Sequence, residues 1–181
     1  MDDQLRLIMK KFQLQPNKVM GQNFLVDSEA IKQVLVAAEI SPRDIVLEVG
    51  PGTGVITYLL AKEVKRVVAV EKDPKLADFL QREFKNYKNV EIVKQDILQA
   101  DFSQLGLQNR GYKIVSNLPF YLSNYFLRKI MEQPIKPTEM VLLLQQEVGD
   151  RIVAKGNKES ILSIIDRKST RLNSSQRIRT R

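Results

Sequence analysis

Five short runs rich in Val, Ile and Leu recur along the chain: "DIVLEVG" (44–50), "RVVAVE" (66–71), "VEIVKQD" (90–96), "YKIVSN" (112–117) and "EMVLLLQQ" (139–146). Between them lie "VITYLLAKEV" (55–64), "PKLADFLQREFKNY" (74–87) and "NYFLRKIMEQ" (124–133), with apolar residues at helical spacing, and a short turn, "FSQLG" (102–106). This alternation is the strongest constraint the sequence carries. Strands apolar on both sides need cover on both sides, and intervening helices let successive strands run parallel. The expected fold is α/β, a doubly wound parallel sheet. Ser28 is the expected N-cap of one more helix, over "EAIKQVLVAAEI" (29–40), and Leu5, Ile8 and Phe12 have helical spacing within the first fifteen residues. Ligands of such sheets bind outside the carboxyl ends of the strands. Function is therefore to be sought in the residues just after each strand.

The chain contains no Cys and no His. That excludes thiol nucleophiles, disulfides, imidazole or thiolate metal sites and every triad built on a histidine base. Chemistry must run on carboxylates, amides, hydroxyls, lysines, backbone groups or a bound cofactor. No apolar run reaches the ~20 residues of a membrane span. The charged start "MDDQLRLIMKKF" lacks a signal-peptide apolar core, so a cytoplasmic protein is expected.

The first strand is followed by "GPGTG", in which Gly50, Gly52 and Gly54 permit a tight turn and close backbone approach. The register is neither that of a dinucleotide fingerprint nor that of a P-loop. A nucleoside without a pyrophosphate suits it, and an ordinary strand-to-helix turn is the alternative. Glu71 ends the second strand, about 20 residues on, where a carboxylate can accept from ribose hydroxyls or stand as a solvated charge. Asp96 ends the third, where it can accept from the exocyclic amine of adenine or cap the next segment.

The fourth strand runs into "SNLPFYLSN" (116–124). Asn117 offers an amide oxygen, the turn through Leu118 and Pro119 offers carbonyl acceptors on a fixed backbone, and Phe120 offers a flat face. An aromatic amine is a poor nucleophile because its lone pair is delocalised into the ring. Acceptors that draw its N–H bonds out of plane localise that pair for attack.

Taken together, "GQNFL" (21–25), "EVGPGTGVIT" (48–57), "VEKD" (70–73), "QDIL" (95–98) and "NLPF" (117–120) resemble, in order and spacing, the KsgA-type ribosomal RNA adenine dimethyltransferases. These are relatives of the Erm macrolide-resistance methyltransferases. The resemblance covers about residues 10–165. It implies a Rossmann-like domain that uses S-adenosylmethionine. Cofactor contacts are implied for Gln22, Asn23 and Leu25 of the first loop, for Gly50 and Gly52, for Glu71 and Lys72, for Asp96 and Ile97, and for Asn117. The catalytic turn is implied to be Asn117, Leu118, Pro119 and Phe120, with Phe120 stacking on the target base. The implied substrate is a pair of adjacent adenosines near the 3′ end of small-subunit rRNA, each dimethylated on its amine within a pre-30S particle. A monomer needing neither metal nor membrane is expected.

The "GQNFL", "NLPF" and "QQEVGDRIVAK" stretches favour the KsgA branch over an Erm-type enzyme acting on large-subunit rRNA. Phe120 departs from the Tyr usual in that branch. A second departure lies at the end of the chain. Residues 1–165 are expected to form the methyltransferase domain, without the family's last strands and helical domain, and native sequence is expected to stop near Ile165. Residues 166–181, "DRKSTRLNSSQRIRTR", read as a basic, unfolded tail foreign to that domain. They hold six Lys/Arg and one acid, most of the net +8. Lys10, Lys11 and Lys18 flank the first loop and are candidates for phosphate contact. A non-catalytic RNA-binding or ribosome-assembly factor is the alternative from another functional class.

Overall fold

The structure is a computed structural model that describes residues 28–118, 121–144 and 179–180. In chain order the elements are α1 (Ser28–Ala37), β1 (Ile45–Val49), α2 (Val55–Glu63), β2 (Arg66–Glu71), α3 (Pro74–Glu83), β3 (Val90–Lys94), β4 (Lys113–Asn117), α4 (Ser123–Glu132), β5 (Glu139–Leu144) and β6 (Arg179–Thr180). All pairings are parallel, and the sheet order is β3-β2-β1-β4-β5-β6. Every expected strand and helix between residues 28 and 144 is present. The two-residue β6 pairs with β5 inside the stretch expected to lack structure. The N-terminal helix, the "GQNFL" loop and Lys10, Lys11 and Lys18 lie outside the described residues.

Successive strand residues point to opposite faces, and this divides the core in two. Val46, Val67, Ala69, Val115 and Val141 pack with Ile31 and Val34 of α1, Leu60 of α2 and Leu80 of α3. Leu47, Val49, Val68, Val70, Ile114 and Leu142 pack with Phe126, Leu127 and Ile130 of α4. No helix joins β3 to β4. Turns carry that connection, and Ile97, Phe102, Leu105 and Leu107 from it fill the second face. Helix α3 starts firmly: Pro74 supplies a preset φ at its first position, and Asp73 Oδ1 accepts from Lys75 N–H at 2.8 Å and Leu76 N–H at 3.3 Å.

The two ends of the sheet are treated differently. At the amino end, Lys113 Nζ meets Asp44 Oδ2 at 3.1 Å and Glu139 Oε2 at 3.7 Å. It also donates to the carbonyls of Ala38 at 3.0 Å and Glu39 at 2.8 Å. One ammonium thus draws together β1, β4, β5 and the end of α1. Toward the carboxyl end, β1 and β4 part: their ladder pairs only Val46 with Lys113 and Leu47 with Ile114. Strand order reverses between these two strands, so the gap falls at the topological switch point where open α/β sheets bind ligands.

Candidate active site

The gap is held by a side chain. Ser116 Oγ accepts from Val49 N–H at 2.8 Å and donates to the Val49 carbonyl at 2.6 Å, and Ser116 is fully buried. The hydroxyl replaces the ladder bonds that would otherwise draw β1 and β4 together. Asn117, the last residue of β4, is half-buried beside it. Leu118 N–H extends the β4–β5 ladder to the Leu143 carbonyl at 3.3 Å. The Leu118 side chain is core, in one cluster with Ile97. From Leu118 only the backbone carbonyl remains for chemistry. Pro119 and Phe120, like Gln22, Asn23 and Leu25, lie outside the described residues.

The glycines of the turn are bonded, two of them to β2 and one within the turn. Gly50 N–H donates to the Val70 carbonyl at 2.9 Å, and Gly54 N–H to the Pro51 carbonyl at 2.9 Å. Gly52, at φ 59°, brings its N–H within 3.3 Å of Glu71 Oε2. The N–H groups of Gly50, Gly52 and Gly54 are thus all engaged within the protein.

Glu71 is buried, so the alternative of a solvated strand-end charge does not hold. Its other oxygen, Oε1, accepts from Asp73 N–H at 2.9 Å. Burial raises its carboxyl above the usual range, and the N–H groups of Asp73, Gly52 and Lys72 work against that rise. Asp96 serves the second of the two roles foreseen for it, the cap. Its Oδ1 accepts from Leu98 N–H at 3.0 Å, which caps the following turn, while Oδ2 faces Lys72 Nζ at 2.8 Å. Partial burial pushes the Asp96 carboxyl up, but Lys72 and the Leu98 N–H outweigh it and hold it below the usual range. Gln95 N–H donates to the Glu71 carbonyl at 3.0 Å, so the ends of β2 and β3 are joined just below the two acids.

Two site residues were missed in the sequence. Glu48 in β1 is 1% exposed and accepts from Thr57 Oγ1 of α2 at 2.6 Å. Burial first, and the neighbouring Glu71 charge after it, push its carboxyl up to about 8, against the Thr57 bonds. The signal was present: a lone acid inside "VLEV" is anomalous in a strand buried on both faces. Tyr121 was the other. It is half-exposed; burial raises its phenol, Lys72 opposes that rise, and Glu71 and Asp96 reinforce it. Its hydroxyl therefore lies within the field of the strand-end acids.

Glu71, raised by burial at the end of β2, is a carboxyl whose ionised form a nearby positive charge would favour. Among the described residues no group of three or more acids could hold a metal ion, and no helix is long and apolar enough to cross a membrane.

Comparisons with known proteins agree with this geometry. The family model "Ribosomal RNA adenine dimethylase" matches residues 13–172. Ribosomal RNA small subunit methyltransferase A of Dehalococcoides mccartyi is 40% identical over 161 residues, which cover 89% of this chain and 55% of the relative. The protein of the same name from Halothermothrix orenii is 36% identical over 157 residues, covering 84% and 52%. The chain thus spans about half the length of the curated relatives it matches. Among solved structures, the 23S rRNA methyltransferase ErmE superposes with TM-score 0.64 at 26% identity, covering 78% of this chain and 56% of that one. A dimethyladenosine transferase from Plasmodium falciparum, at 24% identity and TM-score 0.69, shares the fold over 79% of this chain and 51% of its own. With a family model matched across most of the chain and relatives up to 40% identical over most of its length, the chain belongs to the ribosomal RNA adenine dimethylase family.

Proposed function

We propose that this chain carries the methyl-transfer site of an S-adenosylmethionine-dependent rRNA adenine dimethyltransferase of the KsgA type, acting in the cytoplasm on two adjacent adenosines of small-subunit rRNA in a pre-30S particle. The observation that supports this reading is that Gly52, Glu71, Asp96 and Asn117 all end or follow strands at the carboxyl edge of one parallel sheet, where Ser116 bonds Val49 as β1 and β4 part. The donor, when bound, supplies an electrophilic methyl on a sulfonium. Its positive charge would favour the ionised form of Glu71, whose carboxyl burial raises. In this reading Glu71 holds ribose hydroxyls, Asp96 accepts from the adenine amine of the cofactor, and Gly52 lets the backbone approach.

The target adenine has to leave its stack to reach a strand-end site. Asn117 and the Leu118 carbonyl accept its amine N–H bonds and localise the lone pair. A bound donor would supply the methyl group to that lone pair, and the amine proton would pass to solvent. Positioning is the main contribution of the protein.

The test is transfer of labelled methyl to small subunits lacking the modification, beside large subunits. Label in small subunits, lost in Asn117→Ala with cofactor affinity kept within about tenfold, supports the reading. Label in large subunits favours the Erm-type enzyme. RNA binding without label favours an assembly factor.

A further inference from the structure

We propose that Tyr121 and Tyr125 form a stacking platform for unpaired nucleotides that flank the target adenosine of a single-stranded RNA segment. The proposal rests on the RNA reading above and extends it to a surface which that reading does not assign. Among the described residues three large apolar side chains are exposed: Val36, Tyr121 at 50% and Tyr125 at 66%. An isolated exposed residue such as Val36 is ordinary. Two aromatics four positions apart, beside the carboxyl end of β4, are a different matter.

Tyr121 lies in the turn that leads into α4, and Tyr125 stands in the first turn of that helix. The helix buries Phe126, Leu127 and Ile130 and leaves Asn124, Tyr125, Arg128 and Glu132 exposed. Neither tyrosine ring meets another aromatic ring among the described residues. With 50% and 66% of their surface exposed, Tyr121 and Tyr125 leave ring area for a stacking partner.

The platform adjoins the proposed methyl-transfer gap, since Tyr121 follows Asn117, the last residue of β4, by four positions. A strand threaded past the gap would meet Tyr121 first and Tyr125 next. Cations flank this path. The Lys72 side chain is 54% exposed, and that of Arg128 is 69% exposed and holds Glu132 at 2.7 Å. An open aromatic face edged by cations is the pattern that binds single strands, because every base has a π-face and every linkage a negative charge.

The chain has no Trp, so Tyr125→Trp places a single, selectively excitable Trp on the platform. With the full chain and an unstructured oligoadenylate of about ten nucleotides, its emission is expected to quench and saturate. Tyr125→Ala and Tyr121→Ala are each expected to weaken oligonucleotide binding by roughly 5- to 100-fold. Tyr125→Ala should keep the melting temperature and leave the salt slope of binding unchanged, because stacking releases no counterions. Arg128→Gln should lower that slope by about 1. Tyr125→Phe should bind as wild type does. Wild-type oligonucleotide affinity in folded Tyr125→Ala would overturn the platform. So would Trp emission that tracks protein concentration without RNA, which would mark self-association. If wild type labels small subunits while Tyr125→Ala binds RNA unchanged, only the platform fails. If wild type neither labels subunits nor binds RNA, the functional reading fails as well.

Discussion

Ser116 bonds both main-chain polar groups of Val49: its Oγ accepts from Val49 N–H at 2.8 Å and donates to the Val49 carbonyl at 2.6 Å. One hydroxyl thus satisfies the backbone of β1 at the point where β4 leaves it, one residue before Asn117. Ser116→Ala removes that partner at a site with no exposure. An unpaired buried polar group costs about 1–3 kcal/mol, and two are released here. The expected loss is about 2–4 kcal/mol, read as a lower urea midpoint at unchanged slope. Ser116→Thr should recover part of it. A loss within experimental error in Ser116→Ala would mean that water substitutes for the hydroxyl.

The Lys72 ammonium, 2.8 Å from Asp96 Oδ2, stands where the functional reading places the cofactor's adenine amine. The amine and the ammonium would then compete for one carboxylate oxygen, since Oδ1 is already held by Leu98 N–H. Lys72→Met is expected to tighten S-adenosylmethionine binding by about two- to fivefold at low salt, the range set by exposed ion pairs. The gain should shrink as salt screens the pair. Calorimetric titration at two ionic strengths checks this. Weaker binding by the Met variant would assign Lys72 a contact of its own with the cofactor.

Much of this was legible in the sequence because period and position carry it. Strands such as "RVVAVE" announce burial on both faces, and the residues ending them, Glu71, Asp96 and Asn117, fall at the carboxyl edge once the strands are parallel. What escaped depends on contacts between distant segments. Ser116 is separated from Val49 by 67 residues, and nothing local marks its hydroxyl as a substitute for ladder bonds. The bonding of the glycine turn depends on Val70 and Glu71 of the neighbouring strand. The Lys72–Asp96 pair is of the same kind, because each residue taken singly reads as a ligand contact.

Gly54 is required by space as well as by conformation. It sits at φ 84°, and a Cβ there would lie 2.7 Å from Leu80 Cδ2 and 2.9 Å from Phe84 Cε2. Both neighbours are buried and cannot swing away. Gly54→Ala adds left-handed strain to overpacking between α2 and α3, about 2–4 kcal/mol together. For a domain of this size the melting temperature should fall by about 5–15 °C. A change under about 2 °C would show that the two helices can separate cheaply.

Glu48 makes stability depend on pH with a definite sign. In the unfolded chain its carboxyl titrates near the ordinary value of 4.5, and in the fold burial raises it to about 8. Between those two values the folded state keeps a proton that the unfolded state has released. Stability therefore falls as pH rises through this window, and the contribution levels off above it. Glu48→Gln cannot titrate and still offers an acceptor to Thr57 Oγ1. Wild type and variant should be similarly stable at the acid end. The variant should then gain on the order of 1 kcal/mol per pH unit across the window. Some slope should persist in the variant, because Glu71 is raised by burial in the same direction. Urea unfolding of both proteins at intervals from pH 5 to pH 9 checks this. Parallel profiles would mean that Glu48 is already ionised in the folded protein at neutral pH, with a charge partner other than Thr57.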